Sequence, residues 1–429
     1  MMQHQTDLRR QIQEGGLDAR LCEVCGCDPT LLGAKRARLL KLLDAYQAAF
    51  GAEEEVGLFS GPGRTEMGGN HTDHQRGRVL AAAVDLDALA CAGPSGDDRV
   101  RILSAGYPEL EVDLHCLTPQ KEEEGSSAAL VRGIAARMRE MGYEPHGFHA
   151  CVDSTVLSGS GLSSSAAYEV MVGVILNHLY CADALDMVQI AQIGQYAENV
   201  FFGKPCGLMD QLASAVGGIV SIDFENPASP LVKKLEYSLS SSRYALCVID
   251  SGADHADLTD EYAAIPQEMG AVARFFGKEV LRQVSEESLW AHLAELRVQV
   301  GDRAVLRAIH FFTDNQLAAK EAQMLENDDF YGFLRLVNQS GQSSAEHLQN
   351  LTCWSNPRQQ AIPLTIALAR RLLKGDGAVR VHGGGFAGTV QAYVPQDQVR
   401  EFQAGMEAVL GKGCCHFLRV RPVGGAVLA

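Results

Sequence analysis

Residues 63–77, GRTEMGGNHTDHQRG, combine two arginines, a glutamate, two histidines and an aspartate with several glycines. Carboxylates and imidazoles accept hydrogen bonds, and a guanidinium donates several at once. This hydrogen-bonding capacity is more than a turn needs for its own backbone. We therefore expect the stretch to bind a polar ligand.

A second stretch, LSGSGLSSSAAYEV at residues 157–170, has the composition of an anion-binding turn. Gly159 and Gly161 let the backbone approach a ligand, and the hydroxyls of Ser163, Ser164 and Ser165 stand where an apolar helix begins. Unpaired N–H groups and the positive end of the helix dipole favour a phosphate there. The alternative, a plain Gly/Ser connector, does not account for the abrupt switch into a helix with a buried composition.

The charge of a nucleoside triphosphate needs further groups, because the second stretch lacks the lysine of a Walker A loop. This predicts Mg²⁺. Residues 194–218 place Glu198 and Asp210 on either side of a Gly/Pro turn. Two such carboxylates are needed if one holds a metal and the other accepts a proton, although each alone is more often a solvated or capping residue.

The composition excludes several classes of protein. The chain has 429 residues, 46% hydrophobic and 21% charged, as expected for a globular protein of two domains. A net charge of −16 disfavours nucleic acid and anionic membranes as partners, whereas a small phosphorylated ligand is compatible with it because a bound cation reverses the charge of one pocket. The absence of a signal peptide and of a membrane span predicts a cytoplasmic protein with reduced cysteines.

Three cysteines, Cys22, Cys25 and Cys27, have the spacing of a metal or redox site. No second pair follows within zinc-ribbon distance, and Cys414 and Cys415 could complete a site only through tertiary contact. We therefore expect ordinary structural cysteines here.

The hydrophobic periodicity predicts an α+β protein. An amphipathic helix ends at Gly51, short strands alternate with polar turns between about residues 57 and 152, and buried helices follow from Ser163. Residues 285–351 are predicted to be helical, and strands return around the glycine run HGGGFAGT, residues 382–389. That run indicates either backbone pressed close to a ligand or to another loop, or a plain tight turn. We predict a leader and helix at residues 1–50 and mixed domains at residues 51–217 and 218–429.

Together these stretches resemble the GHMP small-molecule kinases, and among them most closely the galactokinases. PGRTEMGGNHTDH is similar to the galactokinase signature, GSGLSSSAA to the phosphate-binding loop, GKPCGLMDQ to the segment with the catalytic aspartate, and VHGGGFAGT to the third glycine motif. The resemblance runs from about Phe50 to the C-terminus, and its ordered motifs are far more specific than any one alone. It implies the two-domain GHMP architecture, with ATP and sugar meeting in the cleft between the halves.

The resemblance also implies roles for individual residues. Asp210 corresponds to the proposed catalytic base, and Arg64 to the arginine that pairs with it and faces the transferring phosphoryl group. Ser165 and Glu198 correspond to magnesium ligands. The positions that correspond to sugar contacts are Asn70, His71, Asp73, Gly207 and Tyr262, and those of the phosphate-binding loop are Gly159, Gly161, Ser163, Ser164 and Ser165.

The implied reaction is in-line transfer of a phosphoryl group from ATP to the anomeric hydroxyl of a sugar, with positioning and charge neutralisation supplying most of the catalysis. Asp210 would orient that hydroxyl and take its proton. An aspartate beside Arg64 should have a depressed pKa and be a weak base, so we expect its role to be mainly orientation. The carboxylates and imidazoles of residues 63–77 would then take the hydrogen bonds of the sugar hydroxyls.

The chain departs from the galactokinase pattern in the stretches that carry the resemblance. Asn70 stands where a glutamate typically contacts the sugar near its primary hydroxyl, Glu66 replaces an asparagine, His74 a tyrosine, and Ala387 a glycine. An amide at position 70 tolerates either a hydroxyl or a carboxylate at C6. HTDHQ also resembles plant galacturonic acid kinases, and Arg76 and Arg78 lie nearby, so a uronic acid 1-kinase is the runner-up to galactokinase.

A different class of function is a sugar and ATP sensor that binds without catalysing, as some galactokinase-like proteins do. Such sensors can have a shortened phosphate-binding loop, whereas GLSSSAA is complete here and both Arg64 and Asp210 are present. We therefore expect an enzyme. The oligomeric state, the anomer preference and the adenine pocket are not predicted.

Overall fold

The computed structural model describes residues 2–26, 29–52, 54–156, 161–253, 258–352 and 356–429. The strands are β1 (Gln3–His4), β2 (Glu55–Gly68), β3 (Arg78–Pro94), β4 (Arg99–Ser104), β5 (Leu110–Asp113), β6 (Phe148–Ser154), β7 (Ile219–Asp223), β8 (Leu231–Leu235), β9 (Tyr244–Asp250), β10 (Ala378–His382), β11 (Thr389–Pro395), β12 (Cys415–Leu418) and β13 (Ala426–Val427). The α-helices are α1 (Gln5–Glu14), α2 (Asp18–Cys25), α3 (Leu32–Phe50), α4 (Ser127–Glu140), α5 (Ser164–Tyr180), α6 (Met187–Tyr196), α7 (Met209–Val216), α8 (Thr259–Phe275), α9 (Glu286–Ala291), α10 (Leu293–Gln299), α11 (Asp302–Glu326), α12 (Phe330–Ser343), α13 (Ala361–Leu373) and α14 (Val399–Leu410). Ala197–Phe202 and Ser344–Leu348 are π-helical and continue α6 and α12.

The strands form two sheets. Within the described residues, nine strands build a mixed sheet of order β1-β2-β3-β6-β4-β5, with β7 beside β3, β8 beside β7 and β13 beside β2. The pair β4 and β6 is parallel, whereas β2, β3 and β6 pair antiparallel. A smaller sheet of order β10-β11-β9-β12 is antiparallel. The predicted α+β class is confirmed.

A long hairpin of β2 and β3 forms the centre of the large sheet, and the predicted ligand-binding residues 69–77 connect its strands. Side chains alternate between the two faces of a strand. Phe59 and Ala90 accordingly belong to one apolar core, shared with helices α4 to α7, while Leu58 and Cys91 belong to another, shared with α1 to α3. The connection therefore projects from a strand pair that is covered on both faces.

The two sheets meet through a further apolar core, which includes Val84 of β3, Leu246 of β9 and Val337 of α12. In chain order, the first strand of the small sheet is β9. Strands β7, β8 and β13 also follow residue 217, but they belong to the large sheet. The domain boundary between residues 217 and 218 stays a prediction.

Local signals in the sequence locate several helix ends. Helix α3 ends at Gly51, and the carboxylate of Asp329 accepts a hydrogen bond from the Gly332 N–H at the start of α12. The residues before position 30, which have no predicted role, form α1 and α2. Cys25 lies in the core beneath these helices, and Cys27 lies outside the described residues.

The core beneath α3 gives a direct test of the fold. Leu43 is fully buried in it. Leu43→Ala should lower the free energy of unfolding by about 2–5 kcal/mol, because it removes buried methyl groups and leaves a cavity. Urea unfolding followed by circular dichroism measures the change. Val298→Ala, at a side chain that is 86% exposed, is the control and should shift stability by less than about 0.5 kcal/mol. Equal effects of the two substitutions would contradict the placement of α3.

Candidate active site

Two irregularities in β2 shape the strand that leads into the connection at residues 69–77. The register with β3 shifts between Pro62 and Arg64 and again between Glu66 and Gly68. Such bulges bend a strand and re-aim the side chains beside them. Arg64 and Glu66 are both buried.

Arg64 is the centre of the candidate site. Its Nε donates to Asp210 Oδ1 at 2.6 Å, its Nη2 donates to Asp210 Oδ2, and its Nη1 donates to the carbonyl of Gly161. Asp210 lies in the first turn of α7, and its side chain is 29% exposed. The structure therefore brings the predicted pair together in a two-pronged ion pair and joins it to the predicted phosphate-binding stretch.

The ion pair sets the protonation of the aspartate. Burial alone would raise the pKa of Asp210, but the adjacent Arg64 charge and its hydrogen bonds, with one from Ser163, outweigh burial and hold the pKa below its ordinary value. Asp210 is therefore ionised at neutral pH. The depressed pKa expected from the sequence is thus found, and the role of Asp210 as a base stays a prediction.

Asp73 lies beside this pair, at the start of the 3₁₀ turn Asp73–Gln75. Burial raises the pKa of Asp73, and the charge of Asp210 raises it further. Gly207 makes room for Asp73, because a Cβ built on Gly207 would lie 2.1 Å from Asp73 Oδ2. The structure thus places the predicted sugar contacts Asp73 and Gly207 together.

The third glycine motif anchors the connection from the other sheet. The backbone carbonyls of Gly383, Gly384 and Gly385 accept hydrogen bonds from Asn70 Nδ2 at 2.8 Å, from His71 Nε2 at 3.0 Å and from the Tyr262 hydroxyl at 2.7 Å. Gly385 has φ +82°, and a Cβ there would lie 2.2 Å from the Asn350 carbonyl oxygen. Backbone close to another loop was one of the two predicted meanings of this run, and that meaning is confirmed.

His71 is neutral in this arrangement. Burial lowers the pKa of His71 to about 4. Because the Gly384 carbonyl can only accept, His71 Nε2 carries the hydrogen and Nδ1 keeps its lone pair. His71 can therefore accept a hydrogen bond from a ligand hydroxyl.

The position of Asn70 disagrees with its predicted contact with the sugar. Its side chain is fully buried, its amide nitrogen donates to Glu66 Oε1 as well as to Gly383, and its amide oxygen accepts from Asn350 Nδ2 at 2.9 Å. An amide with both hydrogens and its oxygen engaged has nothing to offer a sugar. The predicted direct contact of Asn70 with the sugar is not supported by this placement.

The start of α5 faces the Arg64 pair. Gly159 lies outside the described residues, and Gly161 contributes its carbonyl to Arg64. Ser163 adopts a left-handed conformation, φ 53°, immediately before the helix and hydrogen-bonds to Asp210. The first-turn N–H groups at Ser164 and Ser165 have no carbonyl one turn earlier within the helix, so they can serve an anion.

Oxygen donors for a metal lie near the same helix. Glu198, in the π-helical turn, accepts from Gln211 Nε2 at 2.9 Å and from Lys204 Nζ at 3.3 Å. Glu169, one turn after Ser165, accepts from the same Gln211 nitrogen at 2.9 Å, and its Oε1 is buried with no partner among the described residues. A hydroxyl and two carboxylates suit Mg²⁺, which usually takes one or two carboxylates and completes its shell with phosphates.

The sequence interpretation missed Glu169 and Gln211. Glu169 follows Ser165 by one helical turn and so shares its face of α5, and Gln211 is the neighbour of Asp210. Burial and the nearby Glu198 carboxylate raise the pKa of Glu169 well above its ordinary value. The helical spacing was a usable signal, whereas the bridging amide depends on tertiary contact.

The remainder of the described structure contains a cavity but neither a metal cluster nor a membrane-spanning helix. A surface cavity of about 940 Å³ is lined by residues of β8, β9 and β12, including Lys234, Tyr244 and Phe417, and its described lining contains none of the site residues. In the described segments, no cluster of three or more His, Cys, Asp or Glu side chains has the geometry of a metal site. No helix among the described residues is long and apolar enough to cross a membrane.

Known proteins share both the site segments and the architecture. A model of the GHMP kinases N-terminal domain matches residues 126–218, and the galactokinase galactose-binding signature matches residues 44–94. Galactokinase of Lactococcus lactis, crystallised with galactose, has a TM-score of 0.77 at 24% identity over 91% of this chain and 99% of that chain. Mevalonate kinase of Methanococcus jannaschii has a TM-score of 0.60 at 14% identity over 85% and 98%.

The opposite pKa shifts of Asp210 and Asp73 predict opposite effects of pH on stability. The folded-state pKa of Asp210 is depressed, so its stabilising contribution is present above the unfolded pKa of about 3.9 and is lost as the pH falls below it. The stability advantage of the wild type over Asp210→Asn should therefore shrink between about pH 5 and pH 3. Urea unfolding at each pH measures it.

Asp73→Asn is the matched comparison. The folded-state pKa of Asp73 is raised, so the wild type loses stability as the pH rises from the unfolded to the folded pKa. Relative to Asp73→Asn, the wild type should gain stability as the pH falls through that window. The same slope for both substitutions would show that the Arg64 charge does not govern Asp210.

Proposed function

We propose that this chain, which has the fold and the N-terminal domain of the GHMP kinases, transfers a phosphoryl group from ATP to the anomeric hydroxyl of galactose. The observation that carries the proposal is the Arg64 guanidinium, which joins Asp210 to the Gly161 carbonyl beside the start of α5. In-line transfer needs a positioned hydroxyl and a positioned phosphate, and this contact supports both.

Asp210 would accept a hydrogen bond from the anomeric hydroxyl and hold its oxygen in line with the phosphorus. Its depressed pKa makes it a poor acceptor of a full proton before bond formation. The proton becomes more acidic as the new P–O bond forms, and Asp210 then receives it. Arg64 holds the carboxylate in place and faces the phosphoryl group. Its positive charge there stabilises the negative charge of the group being transferred.

The terminal phosphates of ATP would lie at the N-terminus of α5, held by first-turn N–H groups and by the hydroxyls of Ser163, Ser164 and Ser165. Ser165 and Glu198 would hold Mg²⁺, with Glu169 adjacent. When bound, the ion neutralises charge on the phosphates. The chain's own contribution is the helix start, the hydroxyls and the exclusion of water by the surrounding core.

The sugar would lie between Asp73, His71 and Asp210. Asp73 and the lone pair of His71 Nδ1 accept hydrogen bonds from sugar hydroxyls, and Gly207 leaves the space that Asp73 occupies. Tyr262, held to Gly385 by its hydroxyl, would close the pocket from α8. Acceptors dominate this set, as recognition of a polyhydroxyl ligand requires.

Replacement of the aspartate tests the kinase directly. Asp210→Asn should lower kcat by about 10²–10⁴-fold, because an amide holds the hydroxyl poorly and cannot take its proton. ADP release in a coupled assay with galactose measures it. Asp18→Asn, in an ion pair with Arg36 on the N-terminal helices, is the control and should keep wild-type turnover. Near-normal turnover of Asp210→Asn would refute the mechanism, and ATP-dependent sugar binding without ADP release by the wild type would replace the enzyme with a sensor.

A uronic acid is the second candidate substrate. One observation favours it: position 70 presents a buried amide, so no carboxylate from that position faces C6 of the sugar. Arg76 and Arg78 do not add to the argument, because they form ion pairs with Glu279 and Asp223.

A competition between sugars decides the substrate. We expect kcat/KM for galactose to exceed that for galacturonate by at least about tenfold, since His71 offers a lone pair that suits a hydroxyl and opposes a carboxylate. Both sugars are measured in the same coupled assay at saturating ATP. Turnover of galacturonate without turnover of galactose would make the chain a uronic acid 1-kinase.

A further inference from the structure

Asn70 connects more parts of the chain than any sequence pattern indicates. Besides its side-chain bonds to Glu66, Gly383 and Asn350, its amide oxygen accepts from Ser344 Oγ at 3.4 Å. Its backbone N–H donates to Asp314 Oδ2 at 2.6 Å, and its carbonyl accepts from His310 Nε2 at 2.8 Å. These contacts join the connection at residues 69–77 to α11, to the second π-helical turn and to the third glycine motif.

Glu66 is the charged partner of this amide. Its Oε1 accepts from Asn70 Nδ2 at 3.0 Å and from Arg380 Nη2, and Arg380 is fully buried. Arg380 Nη1 also donates to the carbonyl of Met67 at 2.8 Å. The carboxylate is thus buried beside a cation instead of being exposed to a ligand.

Glu66 and Asn70 are a carboxylate and an amide in direct contact. An amide donates and a carboxylate accepts, so one of each satisfies the pair in either order, whereas two carboxylates leave like charges facing each other.

We propose that Glu66 and Asn70 are a mutually dependent pair of positioning residues, which keeps the carboxylate beside Arg380 and out of the sugar pocket and so sets the tolerance of the site for an anionic sugar. This rests on the proposed function. The pair acts through His71, the next residue, whose ring is held on the Gly384 carbonyl by the same glycine run that Asn70 binds. A carboxylate at position 70 would place its charge one residue from His71, the proposed sugar contact.

The alternative is a pair that serves only the stability of the core. Both residues are buried, so single substitutions would destabilise the protein under either account. The two accounts differ in the effect of substituting both residues together: a purely structural pair recovers stability without any change in the choice of sugar.

A four-protein cycle separates these accounts: wild type, Glu66→Gln, Asn70→Asp and the double variant. Binding of galactose and of galacturonate is measured by calorimetry at saturating ATP analogue, and urea unfolding is measured on the same proteins. Asn70→Asp should weaken binding of both sugars by at least about tenfold, because it loses two donors and faces Glu66. Ser344→Ala, which removes only the long contact to Asn70, is the control and should bind both sugars as the wild type does.

The double variant carries the decisive result. Galactose binding should recover by at least about tenfold over Asn70→Asp, while galacturonate binding should stay at least about tenfold below that of the wild type. A double variant no better than Asn70→Asp, or equal recovery for both sugars, would overturn the proposal. If Asn70→Asp does not fold, a double variant that folds shows that the second substitution rescues the first and supports the proposal. If neither variant folds, the result contradicts the proposal.

Unfolding and binding also separate this proposal from the proposed function. Coupling between positions 66 and 70 appears in the unfolding cycle whether or not the wild type phosphorylates a sugar. If the wild type binds sugars but releases no ADP, the proposed kinase function is refuted. The binding measurements then still test the proposal about Glu66 and Asn70. If the changes in the free energy of unfolding are additive for the two substitutions and the sugar preference is unchanged, the proposal that Glu66 and Asn70 depend on each other is refuted.

Discussion

The Arg64 guanidinium is the interaction on which the rest of the site depends. It lies on a bulged strand, yet it binds a carboxylate on α7 and a carbonyl in the turn before α5. A buried guanidinium costs several kcal/mol unless its donors are used, so the three segments are held in one arrangement by the need to satisfy a single side chain. The bulge in β2, the start of α7 and the turn before α5 therefore meet at this one side chain.

Behind the connection at residues 69–77 lies a polar layer where the two sheets meet. Burial raises the pKa of Glu66 to about 7 despite Arg380, and burial raises the pKa of Glu321 well above its ordinary value. Both carboxylate oxygens of Glu321 lack a hydrogen-bond partner among the described residues. A core built for stability alone would not concentrate acids here, which agrees with a layer that fixes the position of Asn70 and His71.

Local chemistry in the sequence predicted much of this architecture. Gly/Ser composition before an apolar helix located the start of α5, and ordered motifs predicted the GHMP fold, which the similar structures confirm. The sealed position of Asn70 could not be predicted, because its partners Asn350 and Gly383 are some three hundred positions away and belong to the other half of the chain. Pairing of the last strand, β13, with β2 escaped prediction for the same reason.

The most direct test of the account is a crystal structure with galactose and a non-hydrolysable ATP analogue. The account predicts the terminal phosphate at the N-terminus of α5, and the anomeric hydroxyl within hydrogen-bonding distance of Asp210, with Asp73 on other hydroxyls of the same sugar. A sugar bound away from Asp210, or a nucleotide bound away from Ser163, Ser164 and Ser165, would contradict it.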